Sequence, residues 1–162
     1  MRTQTLLRLG GAAAIMAGAL RLGEPLMRIA FAGNALLTSF FVIDVFLMFG
    51  LIAWYAWRAD RLGMAGMLGF VLGLVGLMTI RSADLFAGRS GYIVGATLLL
   101  IGLVAMNAPA LIRWEPPIWP PLLWLVAFVC GLGSLAYGPL AIVAGAIFGV
   151  GYIFAGVSLL RG

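Results

Sequence analysis

Apolar positions along the chain gather into six long segments, divided by turn residues and arginines. They run over about 5–22, 34–57, 62–81, 91–110, 118–137 and 139–160. Each is close to the roughly 20 residues a helix needs to cross the apolar core of a bilayer. Runs such as Leu98-Leu99-Leu100-Ile101-Gly102-Leu103-Val104 lack the two-residue alternation of a membrane β-barrel strand. The pattern predicts an all-α polytopic integral membrane protein: a bundle of six transmembrane helices with short loops, forming a single domain over residues 1–162.

Composition supports this class. The chain is 64% hydrophobic and 9% charged, against about 25% charged in soluble domains. The mean hydropathy is +1.16, and the connectors are too short for a separate water-facing domain. All ten cationic residues are arginine. With the abundance of Ala, Gly and Leu, this points to a GC-rich bacterial coding sequence. A net charge of +5 suits arginines that flank helices beside anionic headgroups. The expected partner is therefore the lipid bilayer, with a second membrane protein or another copy of the chain as further candidates. No basic run points to nucleic acid.

Arginine placement gives an orientation. With the N-terminus inside, Arg2, Arg8, Arg58, Arg61, Arg113 and Arg161 face the cytoplasm, and Arg21, Arg28, Arg81 and Arg89 face out. Both termini are then cytoplasmic, in the inner membrane. Ala17-Gly18-Ala19 also matches a signal-peptidase site, so a cleaved leader is the alternative for residues 1–19.

Small residues recur at four-residue spacing: Gly10, Ala14 and Gly18, then Gly69 and Gly73, Gly91 and Gly95, and Gly145 and Gly149. Such GxxxG-type stripes let helices approach closely in lipid, where packing drives association. They predict packing within the bundle, or against a partner subunit. Trp54, Tyr55 and Trp57 precede Arg58 and read as an interfacial aromatic belt. Trp114 to Trp124, with its paired prolines, reads as a rigid entry to the fifth helix. Arg21-Leu22-Gly23-Glu24-Pro25 and Arg113-Trp114-Glu115-Pro116 form a short echo between the chain's two halves.

Asp44 is the main chemical anomaly, an acid inside the run Ala35–Trp57. An Asp at a helix centre costs about 2.5–3.5 kcal/mol to insert. Strongly apolar residues each return about 0.3–0.6 kcal/mol, and this segment has twelve Leu, Ile, Val and Phe residues. Insertion is therefore feasible and does not explain the acid. On a helix, Asn34 lies about 80° and Thr38 about 120° away from Asp44 around the axis, so a partner is expected from another helix. Tyr152 and Thr97 match it in depth, and Arg81, some turns away at the end of the third segment, has a side chain long enough to reach inward. Arg81 has Asp84 three residues on, which predicts an interfacial ion pair.

Histidine is absent and Cys130 is the only cysteine. The usual haem ligands, most zinc sites and the commonest general base are missing. No cofactor, metal or catalytic residue is expected, and Cys130 reads as a packing residue. These features predict a non-enzymatic accessory or binding subunit of a cytoplasmic-membrane complex. A small-solute or ion transporter using Asp44 as a proton or cation site comes second. A lipid-processing enzyme comes third.

Overall fold

The computed structural model describes the backbone of residues 3–86 and 88–162 and the side chains of residues 4–82 and 90–162. The described residues form six helices and no strand: α1 (Thr3–Leu22), α2 (Glu24–Ala30), α3 (Asn34–Phe86), α4 (Gly88–Arg113), α5 (Trp119–Gly133) and α6 (Leu140–Arg161). Four of them, α1, α3, α4 and α6, are long and apolar enough to cross a membrane.

The longest helix, α3, is two helices joined at Gly63, whose φ of 60° and ψ of −160° are open to glycine and strained for any other residue. Its arms, 34–62 and 64–86, fold back on each other. Tyr55 stacks on Phe70 at 4.3 Å, the space beside Gly73 is bounded by Leu51, and Arg81 reaches Asp44. Each of these pairs is nearly symmetric about Gly63, the signature of an antiparallel hairpin. The sequence places this reversal at 58–61, on charged residues. The helix instead runs through them and turns at the residue whose backbone can turn.

The segment after α1 is a separate short helix. Pro25 occupies its first turn, where a missing N–H costs nothing. Glu24 accepts from Arg28 Nε at 3.1 Å and Nη2 at 2.7 Å, and it also pairs with Arg21. At the far end of α4, Arg113 meets Glu115 at 3.5 Å. The two halves thus share a local ion pair but not a backbone, because Glu24 opens a helix and Glu115 lies in an irregular link. The fifth helix ends at Gly133 rather than 137, in a run of turns before Pro139.

Glycine seams set the packing. Along the second arm of α3 and α4, a Cβ added at Gly69 would lie 2.7 Å from Gly102 O, and one at Gly76 would lie 2.8 Å from Gly95 O. Gly91 is buried as well. Between α1 and α6, a Cβ at Gly149 would lie 2.9 Å from Gly18 O, and one at Gly11 would lie 3.0 Å from Gly156 O. The stripe Gly10, Ala14, Gly18 is divided between two neighbours. Gly10 meets Ala53 and Ala14 meets Gly50 on α3, whereas Gly18 meets α6. Ala17 and Gly18, two of the three residues of the signal-peptidase match, are buried in the folded chain. No helix backbone lies against Gly145; among the described residues an added Cβ there finds only the Arg21 side chain of α1, Nε at 4.0 Å.

Candidate functional site

The hairpin registers bring the polar side chains of the bundle into two layers. Asp44 and Arg58 belong to different layers and lie 14 residues apart on one helical arm, a rise of about 21 Å at 1.5 Å per residue.

The first layer holds Arg21, Asp44, Arg81 and Tyr92. Arg81 Nε donates to Asp44 Oδ2 at 3.0 Å, and Arg81 Nη2 donates to the same oxygen. Arg81 also lies 5.9 Å from the Phe41 ring centre. Arg21 Nη2 donates to the Tyr92 hydroxyl at 2.6 Å. These groups come together because Asp44 and Arg81 are almost equidistant from Gly63. Asp44 thus meets Arg81, whose long side chain reaches inward from the second arm. The predicted Arg81–Asp84 pair falls on a side chain outside the described residues, as do Arg2 and Arg89.

The other predicted polar residues are dispersed. Thr97 lines the same cavity as Asp44. Asn34 sits exposed at the start of α3, where its carbonyl accepts from the Thr38 hydroxyl at 2.9 Å. Tyr152 is buried between Trp124 and Phe148, with ring centres at 5.4 and 4.9 Å, and its hydroxyl has no hydrogen-bond partner among the described residues. Depth alone placed Tyr152 beside Asp44. In the fold, the aromatic cluster of α5 and α6 claims it.

Beside this first layer lies a cavity of about 480 Å³. Arg21, Asp44, Tyr92, Thr97 and Ser134 supply its polar wall. Ile80, Ile93, Leu100, Phe128, Leu135 and Phe148 supply its apolar walls. Five of the helices contribute, with α2 standing outside. Tyr92, Ile93, Leu132 and Leu135 line it and are also exposed at the surface, so the cavity opens sideways between α4 and α5. Among the described residues lining it, Asp44 is the only acid. No group of three His, Cys, Asp or Glu residues that could hold a metal occurs among the described residues.

The second layer escaped the sequence. Asn107 is fully buried on α4. Its Oδ1 accepts from Trp54 Nε1 at 3.0 Å and from Arg58 Nη1 at 3.5 Å, and its Nδ2 donates to Leu103 O at 2.8 Å. Trp54, expected in an interfacial belt, is instead 1% exposed and meets Trp124 edge-on at 5.6 Å. The indole N–H needs an acceptor once buried, and Asn107 supplies it. The available signal was a lone amide inside an apolar helix, the same kind of anomaly as Asp44. Asn107→Leu is expected to strand both donors and lower stability by about 1–2 kcal/mol. Reversible unfolding in mixed micelles checks this, and Trp54→Phe should recover part of the loss.

The chain matches no protein-family model, no curated protein and no solved structure. Any function therefore has to be argued from the two layers and the cavity.

Proposed function

We propose that this chain is a non-enzymatic integral membrane protein that binds a lipid-like amphiphile in the cavity beside Asp44. It would cross the bacterial cytoplasmic membrane six times, with both termini in the cytoplasm, as a binding subunit alone or with a protein partner. The six passes would be α1, the two arms of α3, α4, the 15-residue α5 and α6. In support, α1 and α6 pack antiparallel through Gly11–Gly156 and Gly18–Gly149, which puts both chain ends on one side.

The observation that carries the binding role is the joining of two chemistries in one space. Charged and hydroxylated side chains line the same cavity as aliphatic and aromatic ones, and the cavity reaches the surface at Tyr92, Ile93, Leu132 and Leu135. Its volume lies within the range of about 300–1,000 Å³ usual for small-molecule sites. An apolar chain would enter through the mouth beside Ile93 and Leu135, and its polar head would meet Arg21 and Tyr92. In the binding role Asp44 is held by Arg81 and shapes the polar part of the cavity.

Gly145→Leu tests this directly. The added side chain enters the cavity where no helix lies against Gly145, so stability should change by no more than about 0.5 kcal/mol. Lipid retained through purification, counted by native mass spectrometry, should fall about tenfold or more. Unchanged retention in a folded variant would remove the cavity as the site.

Transport through Asp44 is the second possibility, since Asp44 lines this same cavity. It would require the carboxylate to exchange Arg81 for a proton or cation during each cycle. In the binding role, Asp44→Asn leaves the proton permeability of proteoliposomes unchanged. A pH-dependent flux lost in that variant would favour transport.

A further inference from the structure

The second polar layer contains a buried guanidinium with no direct ion-pair partner among the described residues. Arg58 is 3% exposed. Its neighbours are the neutral Asn107 oxygen and the Trp54 ring, the latter 5.4 Å from the guanidinium carbon. Arg58 Nη2 has no hydrogen-bond partner among the described residues. Among the described residues no carboxylate forms a direct ion pair with Arg58; Glu115 acts on it only through space and makes its ion pair with Arg113. A buried guanidinium in this position calls for an anion, because buried charges are otherwise paired.

A small cavity of about 50 Å³ adjoins it, lined by Trp57, Arg58, Arg61 and Pro116. Two guanidinium groups therefore border one space. One water needs about 10–15 Å³ measured this way, so the space admits a group of a few heavy atoms and not a larger ligand. Guanidinium forks match the oxygens of a phosphate in pairs, with charge-assisted hydrogen bonds.

We propose that Arg58 and Arg61 hold a phosphate group in this cavity, from an anionic lipid headgroup or from free phosphate. This site is separate from the amphiphile cavity. It lies in the other polar layer, near the Gly63 turn and the end of α6, where Gly162 sits against the Trp57 indole. The group would give Arg58 a direct anionic partner and tie the α3 hairpin to the link after α4.

The test uses the full chain in neutral detergent, without added phosphate. Inorganic phosphate is titrated while thermal unfolding is followed, against chloride at matched ionic strength. In parallel, the chain is taken from nanodiscs of phosphatidylglycerol or of phosphatidylcholine, and retained lipid is measured by native mass spectrometry. A phosphate-specific rise in unfolding temperature identifies free phosphate as the source. Selective retention of phosphatidylglycerol without that rise identifies a headgroup. Arg61→Gln alters an exposed residue and should fold. It is expected to weaken whichever signal appears by about tenfold, the loss of one charge-assisted contact. Neither signal in the wild type, or equal signals in Arg61→Gln, would overturn the site. Glu115→Gln serves as the second variant and should leave the signal in place or strengthen it. A signal found only in that variant would mean that Glu115 is the natural counter-ion, and would also overturn the proposal.

Discussion

Gly102→Leu is expected to pry α4 from the second arm of α3 and lower stability by at least about 3 kcal/mol. A Cβ at this position would lie 2.7 Å from both Gly69 O and Gly73 Cα. These are backbone atoms, so no rotamer change makes room, and the helix axes must separate. Separation would also loosen Asn107 and Thr97, which reach the two polar layers from the same helix. The contrast with Gly145→Leu makes the experiment informative. The same substitution, on another helix of the same bundle, should be nearly silent because Gly145 faces a cavity. Reversible unfolding in mixed micelles measures both. Similar losses at the two sites would contradict the packing described for α3 and α4.

Arg81→Leu should produce the other large loss, about 2–3 kcal/mol. Removing one partner of a fully buried ion pair costs about 3–5 kcal/mol. The side chains of Arg81 and Asp44 retain 32% and 19% of their exposure, so solvent screening reduces the effect. Removing both charges with Asp44→Asn and Arg81→Gln should restore part of the stability, because two neutral amides can still hydrogen-bond each other and cost less to bury than a charge whose ion-pair partner has been removed. A double variant as unstable as Arg81→Leu would mean that the pair does not act as a unit.

The helices were legible because they are written in long apolar runs, and α1 and α6 lie within about two residues of their expected ends. The hairpin turn was less so. Hydropathy marks Arg58 and Arg61 as a boundary, yet a guanidinium can stay inside a bundle when Asn107 and Trp54 receive it. Gly63, the residue able to adopt the turn's backbone, stands two positions beyond Arg61. This small shift in the turn fixes the register, and the register sets Asp44 opposite Arg81. Segment depth alone could not supply that pairing.

The small-residue stripes show a related limit. Spacing reveals that a face is flat but not which helix lies on it. Gly10 and Gly18 occur in one stripe of α1 and reach different neighbours. Gly145 belongs to a stripe by spacing alone and borders open space instead. The cavity was invisible in the sequence because its walls come from five helices. Its polar wall joins residues as distant as Arg21 and Ser134.

Photo-crosslinking tests the binding role most directly. Membranes containing the chain are supplied with a diazirine-bearing fatty acid, irradiated, and the labelled peptides mapped. Label is expected to concentrate on α4 and α5 around Ile93, Leu100, Phe128 and Leu135, and to disappear from those positions in Gly145→Leu. Label spread evenly over lipid-facing positions such as Val71 and Val75, unchanged by that substitution, would contradict a bound amphiphile beside Asp44.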